Sequence, residues 1–344
     1  MAMHFFLGAN SAGGFVSLYP QLQKEAHRAL YVLKAGPGCG KATCIRALSE
    51  ALGGADEYIH CSSDPRSLDG AVLERCALLD GTPPHVQEPR FPGSDGDYLT
   101  LPPLLDGEGL RQKAGALYAL KAASAAHYEG AYRLLAAAQK AREERRQRAA
   151  SLLEGKRPED RARGLLQREV PRQAGPGRLC LRFLEGITPE GYLCFGDTVR
   201  EHAQTLIGLR DRFGLGQGLL EALRDGALER GHRVYACMDP LEPHRLRHLL
   251  LPDCSLAFVT EDGLSGLKGH RSLRPEALLS AEGLRQARAH LRLLEKVEGE
   301  LLEEAVEHLA AAHALHDRME DLYRPHVDVS AMAEWYRTLL ARMK

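Results

Sequence analysis

Short apolar runs alternate with glycine-rich and polar turns, give way to a long alanine-rich stretch, and then the cycle starts again. Tyr31, Val32, Leu33 and Ala35 read as a buried strand. A glycine loop follows, and from Lys41 onward Ile45, Ala47 and Leu48 recur along one side of a helix that stops at Gly53-Gly54. Tyr58, Ile59 and Cys61 predict a second strand, leading into a polar loop with Asp64 and Asp69. Cys76 to Leu79 predict a third strand, ending at Asp80. Ahead of these, FFLGANSAGGFVSLY is a glycine-punctuated turn before an apolar stretch, and Gln21 to Leu30 predicts a short helix. From Leu110 the pattern turns helical and rich in small residues, predicting a helical hairpin, and PRQAGPGR reads as a linker.

The second half repeats the first. Gly14-Phe15 is echoed by Gly191-Tyr192, and LKAGPGCGKATCIRAL from Leu33 aligns with LRDRFGLGQGLLEAL from Leu209, an offset of 176 (209 minus 33). Gly38 then falls on Gly214, Gly40 on Gly216 and Cys61 on Cys237. Asp64-Pro65 match Asp239-Pro240, and AYRLLAAAQ at Ala131 returns as AVEHLAAAH at Ala305. Matches in one order at nearly one spacing indicate duplication. Lys41 falls on Gln217, and with Cys76 laid on Cys254, Asp80 falls near Phe258, so the second copy keeps glycines and loses charges.

The repeat gives an α/β chain of two tandem domains, mostly parallel sheets flanked by helices, the second degenerate; the loop motif and the resemblance given below make the expected class P-loop NTPase-like. The expected divisions are a domain at 1–109, its helical extension at 110–172, a linker at 173–177, a degenerate domain at 178–275 and a C-terminal helical extension at 276–344.

Strand, glycine loop, lysine and helix in that order form a phosphate cradle. Glycines let amides converge on an anion, and the helix N-terminus adds partial positive charge. Gly36, Pro37, Gly38, Cys39, Gly40, Lys41, Ala42 and Thr43 make up the candidate nucleotide loop, with Lys41 on the outer phosphates and Thr43 near the α-phosphate. The pattern departs from the usual one at Ala42, where a hydroxyl normally ligates Mg²⁺. Thr43 sits about 100° further round the helix and is a poor substitute. Asp80, at the carboxyl end of its strand, is the candidate Mg²⁺ carboxylate, and Asp64, Thr82 and His85 are candidates to orient a water or a phosphoryl acceptor.

Composition limits the alternatives. Net charge is −1 over 344 residues, with 44% hydrophobic and 26% charged residues, so nothing draws the whole chain toward nucleic acid or membrane. No apolar run approaches the roughly 20 residues of a membrane helix, and no signal-peptide pattern opens the sequence, so the expectation is a cytoplasmic protein. The eight cysteines include no C-x-x-C pair and read as reduced core thiols. Lys140–Arg172 holds eleven basic against six acidic residues. Interspersed acids and a lack of aromatics favour a solvated helix laced with Glu–Arg pairs over a nucleic-acid arm. His244 and His248 have helical spacing without a third ligand and read as surface histidines.

In FFLGANSAGGF, LKAGPGCGKAT, EYIHCSSDPRSLDG, LLDGTPPH and GITPEGY the chain resembles a family of uncharacterised tandem P-loop ATPase-like proteins found largely in Gram-positive bacteria. The resemblance implies two P-loop-type α/β domains, each followed by helices, and ATP binding. Family members typically carry Ser or Thr where this chain has Ala42. The resulting expectation is an ATP-binding protein, with GTP as the alternative base, and weak or absent Mg²⁺-dependent hydrolysis. The rivals are a small-molecule phosphotransferase with Asp64 as base, and a non-catalytic nucleotide-sensing scaffold whose helical extensions bind a protein partner.

Overall fold

The computed structural model describes residues 2–23, 29–84, 86–100, 105–155 and 157–343. The first half contains β1 (Met3–Phe6), β2 (Gly8–Ser11), β3 (Gly14–Ser17), β4 (Ala29–Lys34), α1 (Lys41–Ala51), β5 (Glu57–His60), β6 (Leu68–Val72), β7 (Cys76–Asp80) and β8 (Gly96–Thr100), followed by α2 (Gly107–Ala150) and the short α3 (Ala162–Glu169). The second half contains β9 (Arg178–Arg182), β10 (Glu185–Thr188), β11 (Gly191–Cys194), α4 (Gly196–His202), β12 (Thr205–Leu209), α5 (Gln217–Leu228), β13 (Arg233–Met238), β14 (Leu246–Leu251), β15 (Leu256–Thr260) and β16 (Arg271–Leu273), then α6 (Ala281–Tyr323) and α7 (Val329–Met343).

Each half builds a six-stranded mixed sheet, ordered β1-β5-β6-β7-β4-β8 and β16-β12-β15-β14-β13-β9. The two orders match strand for strand when one is read backwards. β6 and β14 run antiparallel to their neighbours and the remaining pairings are parallel. The expected polar loop holding Asp69 is therefore partly strand β6. LDGAV carries an aspartate and a glycine, residues depleted in strands, and burial on the sheet outweighs that preference. The strand assigned from Tyr31 begins at Ala29. Of the helix expected at Gln21–Leu30, residues 24–28 lie outside the described part.

Apolar spacing explains how the helices seat. α1 buries Cys44, Ile45 and Leu48 against its sheet, and α5 buries Leu219, Leu220, Leu223 and Ala227. One apolar cluster draws Phe5, Leu7, Val32 and Leu79 together with Leu184, Tyr235, Leu250 and Val259, so the halves share a core. Phe6 and Phe183, equivalent in the duplication, exchange both backbone N–H···O=C bonds at the junction of the sheets, at 2.8 and 3.0 Å.

The helical hairpins expected after each half are instead single long helices of 44 and 43 residues, each about 65 Å long. They pair with each other, antiparallel. Leu105, before α2, bridges Val327 after α6, and Leu153, after α2, bridges Leu279 before α6. α6 buries Leu291, Glu298, Ala305, Ala312 and Met319, spaced by sevens, which is a coiled-coil seam. Asp106 caps α2 by accepting from Glu108 and Gly109 N–H, and Ser280 caps α6 by accepting from Gly283 N–H. The C-terminal end of each long helix is thereby delivered to the glycine loop of the opposite half.

A candidate nucleotide loop and its sealed counterpart

The loop between β4 and α1 has the geometry its glycines allow. Gly38 and Gly40 are left-handed, at φ +66° and +69°, a region L-residues with a Cβ rarely enter. α1 begins at Lys41, and its first turn closes with Cys44 N–H donating to Gly40 C=O at 2.9 Å. Lys41 folds back over the loop, its Nζ 3.0 Å from Gly36 O, 3.4 Å from Ala35 O and 3.5 Å from Asp80 Oδ2. Cys39 is buried beneath the loop, and burial pushes its thiol pKa up.

Asp80 reaches Lys41 because β7 lies beside β4 in parallel register, Leu33 opposite Asp80. Its other oxygen accepts from both Thr82 N–H at 2.8 Å and Thr82 Oγ1 at 2.7 Å. Thr82 thus holds Asp80 rather than standing free to position a water. Asp64 accepts from Arg66 N–H in the turn after β5, three strand positions from β4, or about 14 Å across the sheet. The structure does not bring it to Lys41. Thr43 is exposed on α1, Ala42 packs partly against the core, and His85 lies outside the described residues.

These residues suit a polyphosphate better than a tightly held cation. Left-handed loop amides and an ammonium match phosphate oxygens. For Mg²⁺, Ala42 offers no oxygen and both Asp80 carboxylate oxygens are engaged. Among the described residues, no group of three or more His, Cys, Asp or Glu is placed to hold a metal ion.

Sequence reading missed three neighbours. Asp69 on β6 lies next to Asp80, since Gly70 pairs with Leu79, and it accepts from the buried Tyr19 hydroxyl at 3.2 Å. Glu320 and Tyr323 come from the far end of α6. Glu320 Oε1 accepts from Gly38 N–H at 3.1 Å, and the Tyr323 ring covers Gly36 so closely that a Cβ there would lie 2.9 Å from it. His316, 3.5 Å from Glu320, leads the groups that hold the Glu320 carboxyl below the usual range, with Gly38 N–H and Lys41 contributing. The repeat carried a signal for Glu320: the offset that lays Ala131 on Ala305 lays Arg146 on Glu320, an inversion of charge at a matched position.

The second loop is built from the same parts with opposite charges. Leu209 pairs with Thr260, so Asp80 corresponds to Thr260 by register, correcting the expected Phe258; Cys76 and Cys254 are two positions out of register. Asp69 corresponds to Arg247, and Arg146 reaches over Gly214 as Glu320 reaches over Gly38. The second loop is also closed from within. Asp211, in the position of Ala35, accepts from Leu215 N–H at 2.7 Å and Gly216 N–H at 2.6 Å. A cavity of about 250 Å³ lies over it, but its arginines already have carboxylate partners. Arg146 pairs with Glu242, Arg142 with Asp239 and Glu298, and Arg247 with Glu185, Asp239 and Asp262. Replacing Asp211 by Ala is expected to cost about 1–3 kcal/mol of stability, because two buried amides lose their acceptor. A urea titration checks this, and an unchanged midpoint would mean that the amides find another partner.

Two expectations change here. The basic end of α2 is not a solvated face of local Glu–Arg pairs: Arg142 is buried and Arg145 nearly so, both paired across to α6. His248 is neither helical nor at the surface. It lies on β14, buried, 3.1 Å from Glu185. Burial would raise the Glu185 carboxyl, but Arg247 and then His248 outweigh it and hold its pKa at about 2. Among the described residues the eight cysteines form no disulfide; Cys39, Cys44, Cys180 and Cys237 are buried and the other four half-buried. Among the described residues no helix is long and apolar enough to cross a membrane. Compared with family models, with curated proteins and with solved structures, the chain finds no match.

Proposed function

We propose that this chain binds one nucleoside triphosphate, ATP or alternatively GTP, at the loop Gly36–Thr43 of its first half, and that it hydrolyses it weakly or not at all. The observation that carries the reading is the position of Lys41. It is the first residue of α1, directly after two left-handed glycines, and its ammonium lies between the loop carbonyls and Asp80. Loop amides, a helix N-terminus and an ammonium near one another are the parts of a phosphate cradle, and they support the reading. The second loop has Gln217 in place of Lys41 and its own Asp211 on its amides, so a single site per chain is the reading. The proposal extends to the P-loop character of both halves and to the tandem P-loop family the sequence resembles.

Weak hydrolysis follows from the methyl group of Ala42 and the engaged oxygens of Asp80. Ala42→Ser is expected to create Mg²⁺-dependent ATP turnover at least about tenfold above wild type, a small part of the several kcal/mol a bound cation can contribute. Phosphate release assayed with and without Mg²⁺ tests it. Wild-type turnover equal to that of the serine variant would overturn the reading. A phosphotransferase using Asp64 loses ground, because that carboxylate stands away from the loop. A non-catalytic, nucleotide-sensing scaffold is favoured over it by one contact: the end of α6, from the other half, rests on the loop.

A further inference from the structure

The first loop is not bare. Its Gly38 amide, which on the proposed reading faces a phosphate oxygen, is taken by the carboxylate of Glu320, a residue 282 positions away on α6. Lys41 lies beside the same seat. Tyr323, one turn further along α6, lies over Gly36. In the second half the equivalent places hold Arg146 and Ala149, and the loop amides are served by Asp211 within the loop itself. The two halves thus satisfy their loop amides by different means. In the second half the acceptor is local, charged and buried. In the first it is borrowed from a half-exposed side chain on a helix end that belongs to the other half.

We infer that Glu320 is a built-in occupant of the first loop's anion seat, which a nucleotide's phosphate must displace, so that occupancy of the loop is coupled to the position of the α6 C-terminal end and of Tyr323. This rests on the nucleotide reading and adds its regulation. A carboxylate and a phosphate oxygen compete for the one Gly38 amide donor, and both cannot sit there. Like charges at that distance also repel. The free protein is therefore mostly in the occluded state, and its apparent affinity is lower than that of the open loop by the fraction of time the loop is open. Displacing Glu320 removes the hydrogen bond that joins the loop to the last turn of α6. α7 follows directly and packs Leu339, Trp335 and Tyr336 against the α1 core. A signal from the loop thus has a physical route to the C-terminal helix.

The test compares the full-length wild type with Glu320→Ala and Glu320→Gln in two measurements. The first is hydrogen exchange of the amides of residues 36–41 without ligand. The second is ATP affinity by calorimetry, with inorganic pyrophosphate as a probe lacking base and sugar. Glu320→Ala is expected to speed loop exchange several-fold and to tighten ATP and pyrophosphate on the order of tenfold, the worth of one hydrogen bond to a charged group. Glu320→Gln, which keeps the shape and loses the charge, is expected to fall between the two and guards against a folding effect of the alanine. Unchanged exchange at residues 36–41 in both variants would overturn the inference, as would weaker binding in both. Faster exchange with no ATP or pyrophosphate binding to any of the three proteins would keep Glu320 as the occupant of the seat and remove the nucleotide reading instead.

Discussion

Replacing Glu57 by alanine is expected to lower the unfolding free energy by about 3–5 kcal/mol, the cost of leaving a buried charge without its partner. Glu57 begins β5, and Arg182 ends β9 in the other half. Their side chains are 2% and 0% exposed, with Arg182 Nε 2.6 Å from Glu57 Oε2, Nη2 3.1 Å from Oε1, and the Tyr235 hydroxyl donating to Oε1 at 3.1 Å. The pair sits where the two sheets meet, next to the Phe6–Phe183 bridge. Without the carboxylate, the guanidinium keeps its bond to Leu181 C=O but loses the buried countercharge that Glu57 supplies. Removing both members tells burial apart from attraction. Glu57→Leu with Arg182→Met is expected to cost less than Glu57→Ala alone, since well-packed apolar pairs often replace buried ion pairs without loss. Urea midpoints at constant denaturant slope measure both. A loss below about 1 kcal/mol in Glu57→Ala would show that water reaches Arg182 and that the halves are less tightly joined than the shared core implies.

The second large effect falls on the loop. Lys41→Ala is expected to weaken ATP binding about 100-fold or more, because an ammonium donates charge-assisted bonds worth about 1.5–3 kcal/mol each to phosphate oxygens. Lys41→Gln, which copies Gln217 of the second loop, is expected to lose nearly as much, since an amide carries no charge. Stability should change little in either variant. Lys41 rests on two loop carbonyls and on Asp80, and water replaces it at the partly open seat. Equal ATP affinity in wild type and Lys41→Ala would place any nucleotide elsewhere on the molecule.

How far the sequence could be read depended on whether the deciding contacts were local. The glycine loop, the helix opening at Lys41 and the carboxylate ending the Asp80 strand were legible, because each is set by residues within one turn or one strand. The duplication was legible too, and the matched strand orders and the β2–β3 and β10–β11 pairs agree with it. β6 was not, because an aspartate and a glycine in LDGAV hide a strand whose stability comes from lying between β5 and β7. His248 misled because spacing four apart suits a helix, while the residues around it pair as β14. The basic run in α2 was misjudged for a related reason. Arg142 and Arg145 look solvated until α6 is laid beside them with Glu295 and Glu298 on the facing side. Glu320 is the extreme case. It touches the loop only because two helices of over 40 residues run antiparallel and carry each half's chain to the other half's loop.

A calorimetric titration of ATP into the wild-type chain, with and without Mg²⁺ and repeated on Lys41→Ala, tests the central claim most directly. The account predicts one ATP per chain, an affinity that depends little on Mg²⁺, and binding about 100-fold or more weaker in Lys41→Ala. Two equivalent sites, affinity unchanged by the loss of Lys41, or no heat from wild type in any condition would contradict it.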